Sequence, residues 1–502
     1  MAAIPTLDDR VVRISSGLAL AIPLLLYIPC IPIGTPPGDG AELLAAMYRF
    51  GVAHPSGYPL ITILGAIASP LALGEPHFNS ALLLCALPTA LTSWLLFRAQ
   101  QHLSIHWLPA LLACLTWALA SQTFVMATRL EVYALHALLL TNTLYCMMRY
   151  LAEPESPKWL VGAALVAGLG MSNHMTLTFM LPVLGIAALM SNWRIITDFR
   201  AVGAVTLALL GGLSLYLYLP LAAWLNDGSA PVWNDTGSIA AIIHHVSGEE
   251  LRHHLDSKAV GGGLISIWRS LFSASMPGLP LLTLLGAGVL LRRDWRWPAM
   301  VLLGLVPIVV YVAAYTAPDV KLYHTPLLAP LVIFMGAGID ALWRLFLKDR
   351  FPRGRHLVLA IVGVGIAFNI WTARDVFTEQ DTTHTHAEAT YEALTRPAIL
   401  IAEGPLARPL WYQAYITHSD RERFVLIDAE LFENSGQDWY PAFLKERHDK
   451  LILPKRDKNG ALPEDWREQI ANLNQKTFKT YLSNKTTQKK APYVREITPT
   501  RP

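Results

Sequence analysis

Two carboxylates and an imidazole lie close together near the amino terminus, in the segments Gly38–Glu42 and His54–Leu60. Both segments follow the first hydrophobic run of the chain. A membrane enzyme can hold an aqueous active site against the bilayer at such a place. A carboxylate held near a partly dry surface can accept a proton from a hydroxyl group. The spacing therefore predicts an active site for chemistry on a lipid-linked substrate.

The same residues also fit a structural role. Asp39 at the N-cap and Glu42 three residues later have the spacing of a capping box, in which each side chain bonds a free amide of the first helical turn. The box would begin a short helix through Leu43, Met47 and Phe50. The two interpretations are compatible, because a capped helix at a membrane surface is a rigid mount for a carboxylate.

Composition determines the class of protein. Of the 502 residues, 53% are hydrophobic and only 15% are charged, which is too apolar for an ordinary soluble enzyme and indicates a polytopic membrane protein. The net charge of +3 is small and diffuse, so no nucleic-acid partner is expected. All four cysteines fall within apolar runs and are predicted to be packing residues: Cys30, Cys85, Cys114 and Cys146.

Apolar runs predict about eleven membrane spans. The first, residues 14–33, is interpreted as a retained anchor because it lacks a signal-peptide cleavage site. Residues 159–190 are interpreted as two shorter spans, since Ser172-Asn173-His174 interrupts them, and residues 58–74 as a re-entrant or interfacial helix, since they hold two prolines. The other predicted spans are 79–97, 107–127, 132–151, 201–222, 277–291, 298–316, 323–345 and 356–373.

The distribution of arginine and lysine predicts the orientation. Most of them lie in loops that share one side with the amino terminus, so that side is predicted to be cytoplasmic. In a bacterium the opposite, external face is the periplasmic face of the inner membrane. The polar groups on that face would be Asp39, Glu42, His54, Glu131, His174, the loop 226–262 and Asp319.

The chain divides by composition. Residues 1–375 are predicted to form the transmembrane domain, with the first external loop at 34–78. Residues 376–475 are predicted to form a small periplasmic α/β domain, with strands at 398–402 and 424–428. Helices are expected at 409–416 and 439–447. The Lys/Thr-rich stretch 476–502 is expected to be disordered.

The amino-terminal motif that contains Asp39, Glu42 and His54 resembles the signature of a known family. Gly38–Glu42 with Gly51–Leu60 is similar to the signature of a family of multi-spanning proteins that includes the eukaryotic O-mannosyltransferase of plexin-type receptor domains, within the GT-C superfamily of membrane glycosyltransferases. This chain would be a bacterial member. Ser56 replaces the proline expected in the family's His-Pro-Pro-Gly. Further matching patches are 131–133, 168–176, 218–221, 318–319 with Tyr323, 410–412 and 439–440.

The resemblance implies the fold and the roles of individual residues. It implies an all-α membrane domain of GT-C type, with spans packed around an external cavity, and a polyprenyl-phosphate sugar as donor. A single displacement would invert the anomeric centre, with Asp39 as the base and Glu42 sharing the proton, orienting the acceptor or helping to hold a divalent cation. No obligatory cofactor and no metal site are expected. The candidates for binding the donor phosphate are His54, Tyr58, His174, Arg129 and Lys321, and further candidate site residues are Glu131, Asn173, Asp319 and His324.

Each candidate has a structural alternative. A lone histidine at a helix end is often only a hydrogen-bonded structural residue, and Arg129 or Lys321 could snorkel to the interface. Glu131 could pair with Arg129, and Asp319 with Lys321. A metal site formed by the histidine pairs 244–245 and 253–254 is disfavoured, because adjacent histidines point apart on a helix.

Two function classes remain. One is a glycosyltransferase that moves a sugar to a hydroxyl of a protein, glycan or lipid; the other is a transporter or lipid-carrier flippase. The acidic residues cluster in the first external loop rather than in mid-span, and no inverted repeat is apparent. Both observations favour the enzyme. The sugar and the acceptor stay open.

Overall fold

The structure is a computed structural model of the chain. It is mostly helical, with one four-stranded sheet near the carboxyl end, in agreement with the predicted fold class. The described residues are 9–226, 228–274, 279–317, 320–347, 354–373, 375–404, 407–418, 423–433, 439–458, 460–483 and 494–499.

The described residues of the predicted transmembrane part are mostly helical. The helices are α1 (Asp9–Tyr27), α2 (Gly40–Arg49), α3 (Pro59–Ala68), α4 (Pro76–Ala81), α5 (Leu87–His102), α6 (Trp107–Ala118), α7 (Ser121–Thr128), α8 (Tyr133–Ala152), α9 (Lys158–Asn173), α10 (Leu181–Ser191), α11 (Phe199–Leu213), α12 (Tyr218–Leu225), α13 (Ile239–Val246), α14 (Val260–Ala274), α15 (Leu279–Arg293), α16 (Arg296–Ala314), α17 (His324–Leu328), α18 (Leu331–Leu347) and α19 (Gly354–Ala373).

Four helical segments of the described chain are long and apolar enough to cross a membrane: Asp9–Cys30, Pro76–His102, Phe199–Leu225 and Arg296–Ala314. Two bent pairs raise the number to six if each pair is one span. Helices α6 and α7 meet at a 66° bend, and the segment Val320–Leu328 meets α18 at 47°. The count of eleven spans stays a prediction.

Two regions that the sequence analysis singled out are short or broken helices in the structure, and their positions in the membrane stay predictions. Helix α3 has ten residues, which rise only ~15 Å, about half the thickness of the hydrocarbon core. Helix α9 ends at Asn173, and His174 adopts an extended conformation before a 3₁₀ segment, Met175–Met180, leads into α10. The break places the side chain of His174 inside the helical bundle, where it is 6% exposed.

The carboxyl-terminal part is an α/β unit. Its strands are β1 (Ala398–Ala402), β2 (Phe424–Asp428), β3 (Lys479–Ser483) and β4 (Val494–Glu496), in the order β2-β1-β3-β4. Strand β1 is parallel to both β2 and β3, whereas β4 runs antiparallel to β3. The helices of this part are α20 (Asp375–Glu392), α21 (Pro409–Tyr412), α22 (Ala429–Glu433), α23 (Trp439–Arg447) and α24 (Trp466–Asn474).

The expectation of a disordered tail over 476–502 is wrong for its described strands. Strand β1 is fully buried and needs a hydrogen-bonding partner on each edge; β2 covers one edge and β3 the other. Strand β3 buries Thr480 and Tyr481 although its composition is polar. Threonine and tyrosine favour strands, so composition alone misled the sequence analysis here.

Candidate functional site

Asp39 stands at the N-cap position of α2, but it does not cap the helix. Its backbone is near-helical (φ −74°, ψ −9°), and its side chain accepts no hydrogen bond from the first turn. The preceding turn passes through Gly38 at φ +59°, a conformation that favours glycine. The predicted capping box is therefore wrong. Among the described residues none donates a hydrogen bond to the Asp39 carboxylate, which is half-buried.

Glu42 is fully buried, and both of its oxygens are occupied. Oε1 accepts hydrogen bonds from the backbone N–H of His54 at 2.8 Å and from His54 Nδ1 at 3.1 Å. Oε2 accepts one from Nη1 of Arg408 at 2.5 Å. Burial alone would raise the pKa of Glu42, but the charges of His54 and Arg408 outweigh it and lower this pKa to about 2. Glu42 is thus a permanent anion held in place, and it is poorly suited to sharing a proton.

The partner imidazole of His54 is a cation near neutral pH. Burial lowers its pKa, but the charge of Glu42, its hydrogen bond and the nearby charge of Asp39 raise this pKa to about 9. Both ring nitrogens of an imidazolium donate, so Nε2 donates to the Tyr58 hydroxyl at 3.2 Å. The Tyr58 O–H then donates to the carbonyl of Pro55 at 3.1 Å.

Tyr58 itself has a strained backbone. Its φ of +44° lies in the left-handed region, which a bulky non-glycine residue rarely adopts. The hydrogen bonds of its hydroxyl and the start of α3 at Pro59 hold the residue there. Such strain persists only where the surroundings impose it, and it is frequent at ligand sites.

Arg408 is a functional candidate that the sequence analysis missed. It precedes α21 in the carboxyl-terminal part, and its Nε lies 3.5 Å from Oδ2 of Asp428, at the end of β2. Its guanidinium also lies over the Trp233 ring, 5.2 Å from the centroid. Arg408 therefore joins the sheet of the α/β unit to Glu42 in the first loop. It stands two residues before Leu410-Trp411-Tyr412, a patch that the sequence analysis singled out, and this position is the signal that could have found it.

A cavity opens on the other side of Tyr58. It has a volume of about 280 Å³. We call it the tyrosine cavity, lined by Tyr58, His174, Thr176, Phe179, Arg252, Tyr311, Tyr315 and Tyr323 together with residues of the loop 246–255. His174 lies nearly parallel to the Tyr58 ring at 6.2 Å, and its Nδ1 lies 2.8 Å from the Thr176 hydroxyl. Among the described lining residues, Arg252 is the one arginine or lysine and none is a carboxylate, although Nη1 of Arg252 lies 3.9 Å from Oε1 of Glu249 outside the lining.

The remaining predicted site residues lie at different distances from this centre. Glu131 Oε1 is close to Gly38, 3.8 Å from where a β-carbon of that residue would lie, so it neighbours Asp39. Asn173 is buried and donates to the carbonyl of Val132 at 3.0 Å. His324 is buried, and its Nδ1 lies 2.7 Å from the Ser270 hydroxyl.

The predicted cations do not line the tyrosine cavity. Arg129 follows α7 as its C-cap, and Lys321 is exposed in the 3₁₀ segment Val320–Tyr323. Asp319 lies outside the described residues. Within the described part of the chain, no group of three or more His, Cys, Asp or Glu side chains could hold a metal ion. His244 instead lies near Glu249 and Glu250, at 3.0 and 3.5 Å.

Part of the chain that carries this site is similar to a known protein family. Residues 39–197 match a family model described as the protein O-mannosyl-transferase TMEM260 N-terminal domain. Over this region the chain is similar to that family. The match begins at Asp39 and includes Glu42, His54, Tyr58 and His174, so it confirms the resemblance on which their predicted roles depend. The roles themselves stay predictions.

Two curated relatives have the same description. The protein O-mannosyl-transferase TMEM260 of Mus musculus is 28% identical over 242 residues, which cover 47% of this chain and 34% of that protein. The Dictyostelium discoideum protein is 23% identical over 283 residues, which cover 52% of this chain and 34% of that protein. The chain thus spans about a third of the length of the relatives it matches.

Two solved structures share the fold. ArnT from Cupriavidus metallidurans in the apo state superposes with a TM-score of 0.56 at 13% identity, over 85% of this chain and 91% of that one. The same enzyme bound to undecaprenyl phosphate gives 0.53 at 15% identity, over 89% and 99%. The predicted GT-C fold is confirmed, and the likeness covers 85–89% of the chain.

Proposed function

We propose that the chain is an inverting glycosyltransferase, which moves a sugar from a polyprenyl-phosphate donor to an acceptor hydroxyl at the external membrane face. The observation that carries the proposal is the contrast between two neighbouring carboxylates. Glu42 is buried and fully paired, whereas the half-buried carboxylate of Asp39 has no hydrogen-bond donor among the described residues. Asp39 can therefore meet a substrate hydroxyl.

The transfer balances as one displacement. The acceptor hydroxyl gives its proton to Asp39 while its oxygen bonds to the anomeric carbon. The bond from that carbon to the phosphate oxygen breaks, and the polyprenyl phosphate leaves with the electron pair. Attack opposite the leaving group inverts the anomeric centre.

The tyrosine cavity supplies a donor site of suitable chemistry. Its aromatic walls can cover a sugar face or the first isoprene units, and Arg252, the one arginine or lysine of its described lining, can donate hydrogen bonds to a phosphodiester. His54 connects this cavity to the helix that begins after Asp39, because its imidazolium bonds Tyr58 on one side and Glu42 of α2 on the other. Glu42, His54 and Arg408 are in this proposal positioning residues, which fix the loop that carries Asp39.

The names of the relatives support mannose as the first sugar to test and protein as the first acceptor. The ArnT complex with undecaprenyl phosphate supports the lipid carrier. We further propose that the chain lies in the bacterial inner membrane with its α/β unit in the periplasm. The donor and the acceptor would then both be on the periplasmic side.

The experiment uses the full chain in nanodiscs with undecaprenyl phosphate carrying radiolabelled mannose. A protein extract and a lipid extract from cells lacking the chain serve as acceptors. We expect label in one of the two acceptor pools, with inverted configuration. A second measurement in sealed vesicles covers the flippase alternative. If the chain moves the lipid-linked sugar across the vesicle membrane and forms no glycosylated product, the glycosyltransferase is refuted.

A further inference from the structure

A large groove lies between the membrane part and the α/β unit, on the side of Trp233 away from His54. Its volume is about 740 Å³, within the range of ligand-binding clefts. We call it the Trp439 groove, lined among others by Asn226, Asn234, Glu250, Trp439, Phe443 and Glu446. None of these residues belongs to the site described above. We propose that the groove binds the acceptor, and that the acceptor is a segment of polypeptide.

The groove is one aromatic layer away from the proposed active site. The Trp439 ring lies 4.9 Å from the Trp233 ring, and Trp233 lies 6.1 Å from the His54 ring. The guanidinium of Arg408 lies over the same Trp233. The buried Trp233 ring therefore separates a substrate seated against Trp439 from His54, and the reacting hydroxyl has to reach past this ring.

The charge of the groove restricts its occupant. The titratable groups of its described lining are the carboxylates Glu250 and Glu446 and the imidazole of His244, and it contains no lysine or arginine. Glu446 is exposed, and Glu250 lies near His244 at 3.5 Å. Like charges repel, so an anionic lipid headgroup is disfavoured. Donor-rich neutral or basic segments are favoured.

The shape of the lining favours an extended backbone. Several walls are alanines, so a main chain can approach closely: Ala223, Ala240, Ala241 and Ala442. Carboxylate and amide oxygens of the lining can accept the N–H groups of such a segment. Trp439 and Phe443 are mostly buried, and the edges that line the groove give the segment's side chains a small apolar surface. This inference depends on the proposed function, because a bound hydroxyl needs a donor to react with.

Two wall variants test the proposal, each with a matched control in the same α/β unit. Ala442→Trp fills the groove, and its control is the exposed Ala461→Trp. Glu446→Lys reverses a groove charge, and its control is the exposed Glu464→Lys. Both groove residues have room, since they are exposed, and melting temperatures verify that all four variants fold.

The readout is the ratio of sugar transferred to the protein extract over donor hydrolysed by water. We expect Ala442→Trp to lower this ratio at least about tenfold, equivalent to ~1.4 kcal/mol of acceptor binding, and Glu446→Lys to lower it about threefold or more. The two controls should keep the native ratio. Native ratios in both groove variants would refute the proposal that the groove binds the acceptor, and the proposed glycosyltransferase activity would still stand.

The class of the acceptor is tested by the fraction in which the label is found. Label that survives protease digestion, or that enters only the lipid extract, would show a glycan or lipid acceptor and overturn the polypeptide. If the native chain neither hydrolyses the donor nor transfers its sugar, the proposed function fails first, and that result is distinct from either outcome above.

Discussion

Arg408 connects two parts of the chain that are distant in sequence, and its removal is the most informative structural perturbation. Arg408→Met keeps the length of the side chain and removes its charge. It leaves the buried Glu42 with one cationic partner, and it takes the guanidinium away from Asp428, which is also buried. Burial raises the pKa of Asp428, and Arg408 opposes that rise. The variant therefore leaves two buried carboxylates without the cation that they share, while Glu42 keeps His54 and Asp428 keeps its backbone hydrogen bonds.

The magnitude follows from the electrostatics of Glu42. A fall of its pKa from 4.5 to about 2 corresponds to ~3 kcal/mol of net stabilisation of the anion, shared mainly by His54 and Arg408. The stabilisation of Asp428 that is lost with Arg408 adds to the part of the Glu42 stabilisation that Arg408 supplies. Breaking a buried ion pair by removing one partner costs roughly 3–5 kcal/mol in other proteins. We expect Arg408→Met to lower the free energy of unfolding by about 3 kcal/mol.

The assay is chemical denaturation of the detergent-solubilised chain, followed by tryptophan fluorescence. The control is Arg423→Met, at an exposed arginine of the same unit. In a double-mutant cycle with Glu42→Gln, the combined loss should fall short of the sum of the single losses by at least ~1 kcal/mol. Additive losses, or an Arg408 variant as stable as its control, would refute the idea that the α/β unit fixes the first loop through this ion pair.

Three further predictions concern pH, helix packing and the carboxyl-terminal strands. The ion pair of His54 with Glu42 should stabilise the chain fully below about pH 6.5, the pKa of an unperturbed histidine, and lose its effect as pH rises through about 9, because folding raises the pKa of His54 to about 9. The free energy of unfolding should therefore fall over this alkaline range, and denaturation curves of His54→Gln should not show that fall. Gly168→Ala should lower the free energy of unfolding by roughly 1–3 kcal/mol, because its β-carbon would lie 2.3 Å from a backbone oxygen of α11, while Gly185→Ala, which meets open space, should not. A chain ended at residue 476 should lose protease resistance in its α/β unit, whereas one ended at 483, which keeps β3, should retain it; equal resistance would contradict the pairing of β1 with β3.

The sequence predicted the features that local patterns encode. Strands β1 and β2 are continuous apolar runs, and the interruption at His174 breaks the helical pattern visibly. Strand β3 was missed because its burial depends on pairing with β1, about 80 residues earlier. Long-range pairing leaves no local pattern of its own.

In the candidate site too, the sequence predicted local proximity but not the long-range contacts. The sequence placed Asp39, Glu42 and His54 together because a few residues separate them. It could not show that Glu42 bonds His54 and Arg408 in place of the helix amides, since Arg408 is 366 positions away. A buried carboxylate gains more from two cations than from a helix cap, so tertiary contacts override the capping pattern.

The most direct measurement of the central proposal is the rate of sugar transfer by Asp39→Asn, compared with Asp449→Asn at an exposed aspartate of the α/β unit. Asparagine keeps the shape of the side chain and cannot accept the acceptor proton. We expect the rate to fall by about 10²–10⁴-fold, with the melting temperature and the affinity for the donor near native, and the control to remain active. A folded Asp39→Asn protein that transfers sugar at the native rate would show that Asp39 is not the base.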